Sequence, residues 1–271
     1  MKSFRVEKPQ KLFDFLSEKY GVELSYSTYK KLLRNKDVKI NKTRIKSETM
    51  VNIGDLVEVY YDGNATRIDI VYKDENVLIC DKPSGIESKD FEKLVQAIYP
   101  SAKLSHRLDR NTSGLIVLSL NEIAEKELYL AFKLRTVDKY YLAEVYGFFD
   151  KTNGILEDYL LKNKDKSLVK IYSNKVDGGE KIITEYETIT KKEKTSILKV
   201  KLITGKTHQI RAHLAYYGHF IIGDGKYGDN AVNKNFKVKY QRLIAKTIKF
   251  NFSGGILSYL NGKIFISKID F

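Results

Sequence analysis

The N-terminal part of the chain carries two helical patterns followed by two strand patterns. Apolar side chains recur at near-helical spacing over residues 11–20, and a second amphipathic stretch begins at Ser27, which we expect to cap the N-terminus of that helix. Residues 38–41 and 56–61 alternate apolar and polar positions as short strands do, and a Gly54-Asp55 turn precedes the second strand. The pattern predicts a compact helix-helix-strand unit.

A turn-like segment, residues 62–65, ends this unit, so we expect one domain at 1–62 and a second at 69–271. The second region mixes strand and helix patterns, which indicates an α+β domain. Its predicted strands are 76–80 (ending before Asp81), 115–120, 140–146, 196–203 and 263–269. One predicted helix follows Asn121 as N-cap, with Ala124, Leu128 and Phe132 on one face, and another covers 207–217 with Gly218 as its stop.

The composition is that of a folded protein with a single thiol. Hydrophobic residues make up 42% of the 271 positions and charged residues 30%. No stretch approaches the roughly 18 consecutive apolar residues of a membrane span, and the first residues lack the apolar run of a secretory signal. The one cysteine, Cys80, excludes an internal disulfide framework and lies in an apolar strand pattern typical of inert core. We therefore expect a cytoplasmic protein with no membrane partner.

Basic residues are concentrated in one short segment. The formal net charge is +14, and residues 28–46 contain eight Lys or Arg against one Asp, which is half of the excess. A balance this basic favours a polyanionic partner, which could be RNA, DNA or an acidic membrane face, although a generic basic surface gives the same composition.

The most informative segment is the ten-residue string HRLDRNTSGL at residues 106–115. It places the carboxylate of Asp109 between Arg107 and Arg110, just before a strongly apolar strand and therefore at the edge of a sheet. An isolated R-x-D triplet is most often a structural salt bridge in a loop, but a salt bridge does not account for the whole string. The four histidines lack the spacing and the cysteine partners of a zinc site, so we expect no metal.

The string HRLDRNTSGL resembles the signature of the RluA family of pseudouridine synthases. Two further strings follow in the family's order: KYYLAEVYG at 139–147 is similar to K-x-Y-x-A-x-V-x-G, and TGKTHQIRAH at 204–213 is similar to TGRTHQIR. The run 218–228 also fits, and the resemblance as a whole covers 68–252. It implies an α+β pseudouridine synthase fold on a mixed, largely antiparallel sheet. Lys206 departs from the usual arginine, and Ile244 departs from a usual L-H-A string.

The resemblance implies the conversion of uridine to pseudouridine within an RNA chain, a self-contained isomerisation for which we expect no cofactor. Asp109 would be the catalytic carboxylate, and Arg211 would pair with it and hold it ionised. Tyr141 would pack on the target base and is a candidate for relaying the carbon-5 proton. Arg107 would fill the space that the flipped nucleotide leaves, although a phosphate contact is its plainer interpretation.

The basic N-terminal unit is similar to the S4-like RNA-binding domain of ribosomal and RNA-modifying proteins. The matching features are the basic helix, the strand at 38–41 and Gly54-Asp55, whereas the usual glycine before the strand is replaced around Lys36 and the usual Asn-Gly turn reads Asn41-Lys42. The expected RNA contacts are Lys30, Lys31, Arg34, Lys36, Lys39 and Lys42.

Three alternatives remain open on the sequence. The first is a non-catalytic RNA-binding or ribosome-assembly factor on the same fold, which the presence of Asp109, Tyr141 and Arg211 disfavours. The second is the related RsuA type, against which the strings at 111–114 and 204–211 count. The third concerns the RNA: large-subunit ribosomal RNA is favoured by analogy with other enzymes that carry an S4-like domain, and transfer RNA is the runner-up. We expect a monomer.

Overall fold

The structure is a computed structural model that describes residues 1–20, 24, 26–60, 68–163 and 168–271. It divides into two compact units, the first formed by Met1–Ile68 with Leu94–Pro100 and the second by Asp69–Lys93 with Ser101–Phe271. The predicted domain boundary at 62–65 lies outside the described residues, so the expected domains 1–62 and 69–271 stay a prediction.

Two helices pack on short strands in the first unit. The helices are α1 (Leu12–Tyr20) and α2 (Tyr26–Asn35), and the strands are β1 (Lys2–Arg5), β2 (Gln10–Lys11), β3 (Val38–Ile40), β4 (Thr43–Arg44), β5 (Met50–Val51) and β6 (Leu56–Val59). Strands β1, β6, β3 and β4 form an antiparallel sheet in that order, and β2 pairs with β5. Both predicted helices and both predicted strands are present. Ser27 is not the N-cap of α2, however, because the helix already begins at Tyr26.

The second unit is built on one large sheet. Its strands are β7 (Asp69–Lys73), β8 (Val77–Lys82), β9 (Lys103–Leu104), β10 (Ser113–Ser119), β11 (Val137–Tyr146), β12 (Asn153–Asn163), β13 (Leu168–Tyr172), β14 (Glu180–Lys191), β15 (Thr195–Leu202), β16 (Leu243–Phe250) and β17 (Ile264–Ile266). The order is β13-β12-β14-β15-β11-β16-β10-β8-β7, with β17 on β16 and β9 on β10. Within the described chain, only the pair of β10 and β16 is parallel. The predicted α+β class with a mixed, largely antiparallel sheet is confirmed.

Four α-helices accompany this sheet in the described residues: α3 (Ser88–Gln96), α4 (Glu122–Leu134), α5 (Gln209–Tyr216) and α6 (Asn230–Phe236). The predicted cap of α4 is confirmed, because Asn121 Oδ1 accepts a hydrogen bond from Ala124 N at 2.9 Å. Helix α5 begins two residues later than the pattern suggested, because His208 has a left-handed backbone with φ +54°. Gly218, with φ +84°, ends the segment as expected.

Several predicted strands have different ends in the structure. Strand β8 continues through Asp81 to Lys82, although the charged residues suggested a stop at Asp81, because both side chains are buried and bonded inside the fold. The strand predicted at 263–269 covers only Ile264–Ile266. Cys80 lies buried in β8 as a free thiol, and burial raises its pKa to about 12, so it is an inert core residue.

The sheet brings its parallel pair of strands unusually close beside the HRLDRNTSGL string. Gly114 in β10 lies opposite Ala245 in β16, and a Cβ atom at Gly114 would overlap the Ala245 backbone. Gly114 also has φ +104°, which glycine adopts without strain. The close packing of β10 against β16 therefore requires glycine at position 114. Gly114 also fixes the point at which the loop before β10 leaves the sheet.

Candidate active site

Asp109 lies in the loop between β9 and β10, and the backbone around it is fixed on both sides. Ser88 Oγ, buried in α3, accepts a hydrogen bond from Leu108 N at 3.0 Å and donates one to Leu108 O at 2.8 Å. Thr112 N donates to Asp109 O at 3.1 Å and closes a turn. The Asp109 side chain keeps 26% of its surface exposed, so a fixed loop presents a reachable carboxylate.

A buried ammonium group holds the two segments of this loop region together. Lys82, fully buried at the end of β8, donates to the carbonyl oxygens of Pro83, Ile86 and Arg110 at 3.0, 2.9 and 3.2 Å. All three ammonium donors are thereby used. Burial lowers the pKa of Lys82 to about 8, although nearby carboxylates oppose that shift. The lysine thus ties the segment after β8 to the residue that follows Asp109.

His106 anchors the other end of the Asp109 loop as a neutral imidazole. Burial lowers the pKa of His106 to about 3. Its Nε2 accepts a hydrogen bond from Val117 N at 3.1 Å, and its ring stacks on Phe132 with centroids 4.5 Å apart. The first residue of HRLD is therefore a structural residue that fixes the loop.

Arg211 connects Asp109 to a second, buried carboxylate. Its Nη1 donates to Asp109 Oδ2 at 2.9 Å, and its Nε and Nη2 donate to the two oxygens of Asp224 at 2.7 and 2.9 Å. Burial opposes the charge of Arg211, but the bonds from Asp224 and Asp109 raise its pKa above the ordinary value. Burial likewise opposes the charge of Asp224, whose pKa is nevertheless lowered by Arg211. Hydrogen bonds from Arg211 thus join the three groups into an Asp–Arg–Asp array.

Two aromatic residues complete the surroundings of Arg211. The Tyr227 ring lies 5.2 Å from the guanidinium carbon of Arg211, and its hydroxyl is 2.9 Å from His208 Nδ1. His208 Nε2 is 4.0 Å from Asp109 Oδ1. Burial lowers the pKa of His208, which favours the neutral ring. His208, Asp224 and Tyr227 were not assigned roles from the sequence, although all three lie within the family-like strings at 204–213 and 218–228.

Tyr141 lies on β11 beside a β-bulge. The register between β11 and β16 shifts between Tyr140 and Tyr141, and such a shift redirects the side chains next to it. Tyr141 is 7% exposed, and burial together with the charge of Asp109 raises its pKa. The phenol is therefore protonated under ordinary conditions.

Asp109, Tyr141 and Arg211 all line one cavity of about 850 Å³, which is large enough for a nucleotide. Apolar side chains form part of the wall: Leu104, Phe132, Val137, Ile203, Ile210 and Leu243. Arg107 also lines the cavity and is exposed. The structure thus brings together the four residues of the second unit to which the resemblance gave a role.

Cations surround this cavity. Besides Arg107 and Arg211 they are Lys89, Lys133, Arg135, Lys139, Lys201 and Lys206. Lys201 pairs with Asp138 at 3.2 Å, and Lys206 pairs with Glu180. Lys139 is half-buried, and burial followed by the neighbouring charge of Arg135 lowers its pKa. A cavity with this lining attracts an anionic chain.

The six basic residues predicted to contact RNA lie in the first unit. Lys30, Lys31 and Arg34 are exposed on α2, and Lys36 and Lys42 are exposed in left-handed turns with φ +62° and +68°. Lys39 is half-buried, and its ammonium group donates to Tyr60 OH at 2.8 Å. All six charged ends are on the surface of that unit or at its edge.

Two kinds of feature are missing from the described residues. They contain no group of three or more His, Cys, Asp or Glu side chains arranged to hold a metal ion. None of the described helices combines the length and apolar character that a bilayer crossing requires.

Comparisons with known proteins identify the family and agree with the fold. A family model described as "RNA pseudouridylate synthase" matches residues 76–216. The chain is 32% identical to ribosomal large subunit pseudouridine synthase C of Vibrio cholerae, over 81% of this chain and 78% of that protein. It is 35% identical to the dual-specificity RNA pseudouridine synthase RluA of Yersinia pestis, over 58% of this chain and 81% of that protein.

A eukaryotic relative and a solved structure extend the similarity. The chain is 33% identical to the mitochondrial tRNA pseudouridine(32) synthase of Saccharomyces cerevisiae, over 82% of this chain and 51% of that protein. The solved structure of human RNA pseudouridylate synthase domain containing 1 has the same fold, with a TM-score of 0.63 at 22% identity over 74% of this chain and 89% of that one.

The fold and the matched family define an isomerase that acts on uridine in RNA. The chain belongs to the RNA pseudouridylate synthases and, within them, to the RluA family.

Proposed function

We propose that this enzyme forms pseudouridine in large-subunit ribosomal RNA and that Asp109 is its catalytic carboxylate. The observation that carries the assignment is the state of the two Asp109 oxygens. Arg211 holds Oδ2 at 2.9 Å, whereas Oδ1 has no hydrogen-bond partner among the described residues and lies 4.0 Å from His208 Nε2. Attack on the sugar, attack on the base and deprotonation of the ribose each require an anchored carboxylate with one free oxygen.

Tyr141 would lie against the target base in the cavity. Burial and Asp109 raise the pKa of Tyr141, so the phenol stays protonated and holds no phenolate to accept a proton. Its main role would be to stack on the base. A relay of the carbon-5 proton through Tyr141 would require another group to take that proton onward. The apolar wall would keep water away from the base while its glycosidic bond is broken.

Arg107 would occupy the gap left by the flipped uridine. It is exposed at the cavity, two residues before Asp109, and its long side chain can reach into a helix or contact a phosphate. The cations around the cavity would bind the backbone next to the target nucleotide. Base flipping costs a few kcal/mol, and such contacts offset part of that cost.

The first unit would act as an S4-like RNA-binding module, with residues 1–62 and 69–271 as the two domains. Support comes from Lys30, Lys31 and Arg34, which share one exposed surface of α2, and from the basic turn residues Lys36 and Lys42. Lys39 would contribute a further contact beside Tyr60. This assignment concerns RNA affinity, not the chemical step.

The names of the relatives support ribosomal RNA as the substrate. Several are described as acting on the ribosomal large subunit, while the yeast relative acts on tRNA and the Yersinia protein is described as dual in specificity. We place tRNA second. We also propose a cytoplasmic monomer, which cell fractionation and light scattering would test.

Chemical mapping of pseudouridines in a strain that lacks the gene tests this function. Loss of one or more pseudouridines from large-subunit RNA, restored by the wild-type gene but not by Asp109→Asn, is the expected result. Loss from tRNA alone would overturn the ribosomal assignment. Restoration by Asp109→Asn would remove Asp109 from the chemical step.

A further inference from the structure

We propose that a chain of hydrogen bonds from Tyr217 to Gln209, with His213 at its centre, positions α5 so that Arg211 meets Asp109. His213 and Thr184 would then be positioning residues for the reaction. The proposal rests on the function proposed for Asp109 and adds residues that do not line the cavity.

Asp158 in β12 joins the first two members of this chain of hydrogen bonds, because its Oδ2 accepts two of them. The donors are Tyr217 OH at 2.8 Å and His213 Nε2 at 3.0 Å. The other ring nitrogen, His213 Nδ1, lies 2.9 Å from Thr184 Oγ1 in β14. Thr184 Oγ1 in turn accepts a hydrogen bond from Gln209 Nε2 at 3.0 Å.

The directions of the hydrogen bonds follow from one fixed donor, Lys206 N, and one fixed acceptor, the Asp158 carboxylate. Lys206 N, a backbone donor, lies 3.1 Å from Gln209 Oε1, which must therefore be the acceptor end of the amide. Gln209 Nε2 then donates to Thr184 Oγ1. A neutral His213 needs its one proton on Nε2 to bond the Asp158 carboxylate, so His213 Nδ1 accepts the hydrogen bond from Thr184 Oγ1. His213 is neutral, carries its proton on Nε2 and donates that proton to Asp158. Burial lowers the pKa of His213, in agreement with this assignment.

The order of threonine, histidine and aspartate matches that of a nucleophile with its base and orienting acid, but burial excludes that use. Thr184 and His213 are fully buried, and Asp158 is 3% exposed. Neither Thr184 nor His213 lines the cavity that contains Asp109. These residues therefore act on the reaction only through the parts of the protein that they hold.

Thr184, His213 and Asp158 hold helix α5 in place. Gln209 and His213 are four residues apart and lie on one face of the helix, whereas Arg211, two residues from each, projects from the opposite face. The hydrogen bonds fix the first face to β12 and β14, and the second face presents the guanidinium group to Asp109. A rotation or slide of α5 would move Arg211 directly, and a displacement of about 1 Å can cost roughly a hundredfold in rate.

The chain of hydrogen bonds also fixes the residue at which helix α5 begins. Gln209 Oε1 accepts from Lys206 N and from Thr204 Oγ1 at 2.9 Å, which closes the loop that leads into α5. The residue between, His208, has a left-handed backbone, and its ring lies 4.0 Å from Asp109. Loss of the Thr184 hydroxyl would therefore disturb both residues that approach the carboxylate.

Thr184→Val tests the proposal because valine keeps the shape of threonine and replaces only the hydroxyl with a methyl group. It leaves His213 Nδ1 and one proton of Gln209 Nε2 without partners. We expect the single-turnover rate constant to fall about tenfold or more, with RNA affinity within about twofold of wild type. Thr184→Ser, which restores the hydroxyl, should recover most of the rate.

Thr188→Val is the matched control. Thr188 lies on the same strand, and its Oγ1 is buried with no partner among the described residues, so the same substitution removes a hydroxyl that makes no hydrogen bond. We expect its rate constant to equal that of the wild type. Equal rates for Thr184→Val and Thr188→Val, with Asp109→Asn inactive, would overturn this proposal alone. Turnover by Asp109→Asn would overturn the proposed function and this proposal with it.

Tyr217→Phe keeps the test valid if Thr184→Val does not fold. Tyr217 is 41% exposed, so the loss of its hydroxyl removes one bond to Asp158 at the outer end of the chain without opening the core. We expect a rate constant lowered about two- to threefold at unchanged RNA affinity, relative to Tyr216→Phe on the neighbouring exposed tyrosine. Identical rates for these two variants would contradict the proposal.

Discussion

The Asp–Arg–Asp array allows two effects of Arg211 to be measured separately. One is its contribution to the stability of the fold, and the other is its contribution to the reaction rate. Arg211→Met leaves Asp224, which is 1% exposed, as a buried carboxylate without its cation. Breaking a buried ion pair in this way costs about 3–5 kcal/mol of unfolding free energy. Asp224 keeps hydrogen bonds from Lys226 N at 2.8 Å and Tyr227 N at 3.2 Å, so we expect the low end, about 3 kcal/mol.

The double variant Arg211→Met/Asp224→Asn isolates the contribution to the reaction. Asparagine keeps an acceptor for the same two backbone donors and carries no charge, so about 2 kcal/mol of the lost stability should return. Asp109 still lacks the donor at Oδ2. We therefore expect the single-turnover rate to stay about a hundredfold below wild type in both variants, a loss typical of removing one charged group at a reaction centre.

The pH dependence of stability gives an independent check. In the wild type the pKa of Asp224 is lowered, so its contribution to stability is present above its unfolded value, about 3.9, and is lost as pH falls through the lower folded value. In Arg211→Met, burial is no longer opposed by the cation and raises that pKa. The single variant should then become more stable as the pH falls toward about 4.

Urea unfolding monitored by tyrosine fluorescence measures the free energy of unfolding of each variant. Release of tritium from carbon-5-labelled uridine in RNA measures the single-turnover rate. A double variant that regained both wild-type stability and the wild-type rate would refute the reasoning. Arg211 would then be a structural partner of Asp224, with no effect of its own on Asp109.

Three further predictions concern the proposed catalytic carboxylate, cofactors and the basic helix. Asp109→Asn should abolish tritium release while thermal melting and RNA affinity stay at wild-type values, since its side chain is partly exposed and forms no part of the core. Dialysis against EDTA with no added nucleotide should leave turnover on prefolded RNA intact, and a strict need for a divalent ion in the chemical step would contradict this. Replacement of Lys30, Lys31 and Arg34 by Gln should reduce the slope of log affinity against log salt by about 2, at about 0.7 for each phosphate contact, without changing the single-turnover rate at saturating enzyme; an unchanged slope would show that α2 does not contact RNA.

Local patterns were enough to predict the elements whose stabilising contacts are close in sequence. Helix α4 has its cap at Asn121 and its buried face in Ala124 and Leu128, so its start and orientation could be inferred. The pairing of Arg211 with Asp109 was predicted only through the family-like strings. Local patterns could not predict it, because 102 residues separate the two side chains. No periodicity indicates that pair.

Strands β12 and β14 were missed because their buried faces include polar residues. Asp158 and Thr184 are buried, and their partner His213 lies on α5, which follows both strands. The inclusion of Lys82 in β8 was not predicted for the same reason. A charged residue suggests the end of a strand unless its distant carbonyl partners are known. Burial of polar groups depends on tertiary hydrogen bonds, which a single-sequence pattern does not contain.

The parallel pairing of β10 with β16 has a consequence for the enzyme during its synthesis. The strand that follows Asp109 has its neighbour in Leu243–Phe250, so the sheet that supports the carboxylate stays open until that strand has left the ribosome. At about 5–20 residues per second, translation from Asp109 to Phe250 takes roughly 7–28 s. During that interval the basic N-terminal segment is already synthesised, whereas the sheet beside Asp109 still lacks β16. The sheet beside Asp109 is therefore completed late in synthesis, when Leu243–Phe250 pairs with β10.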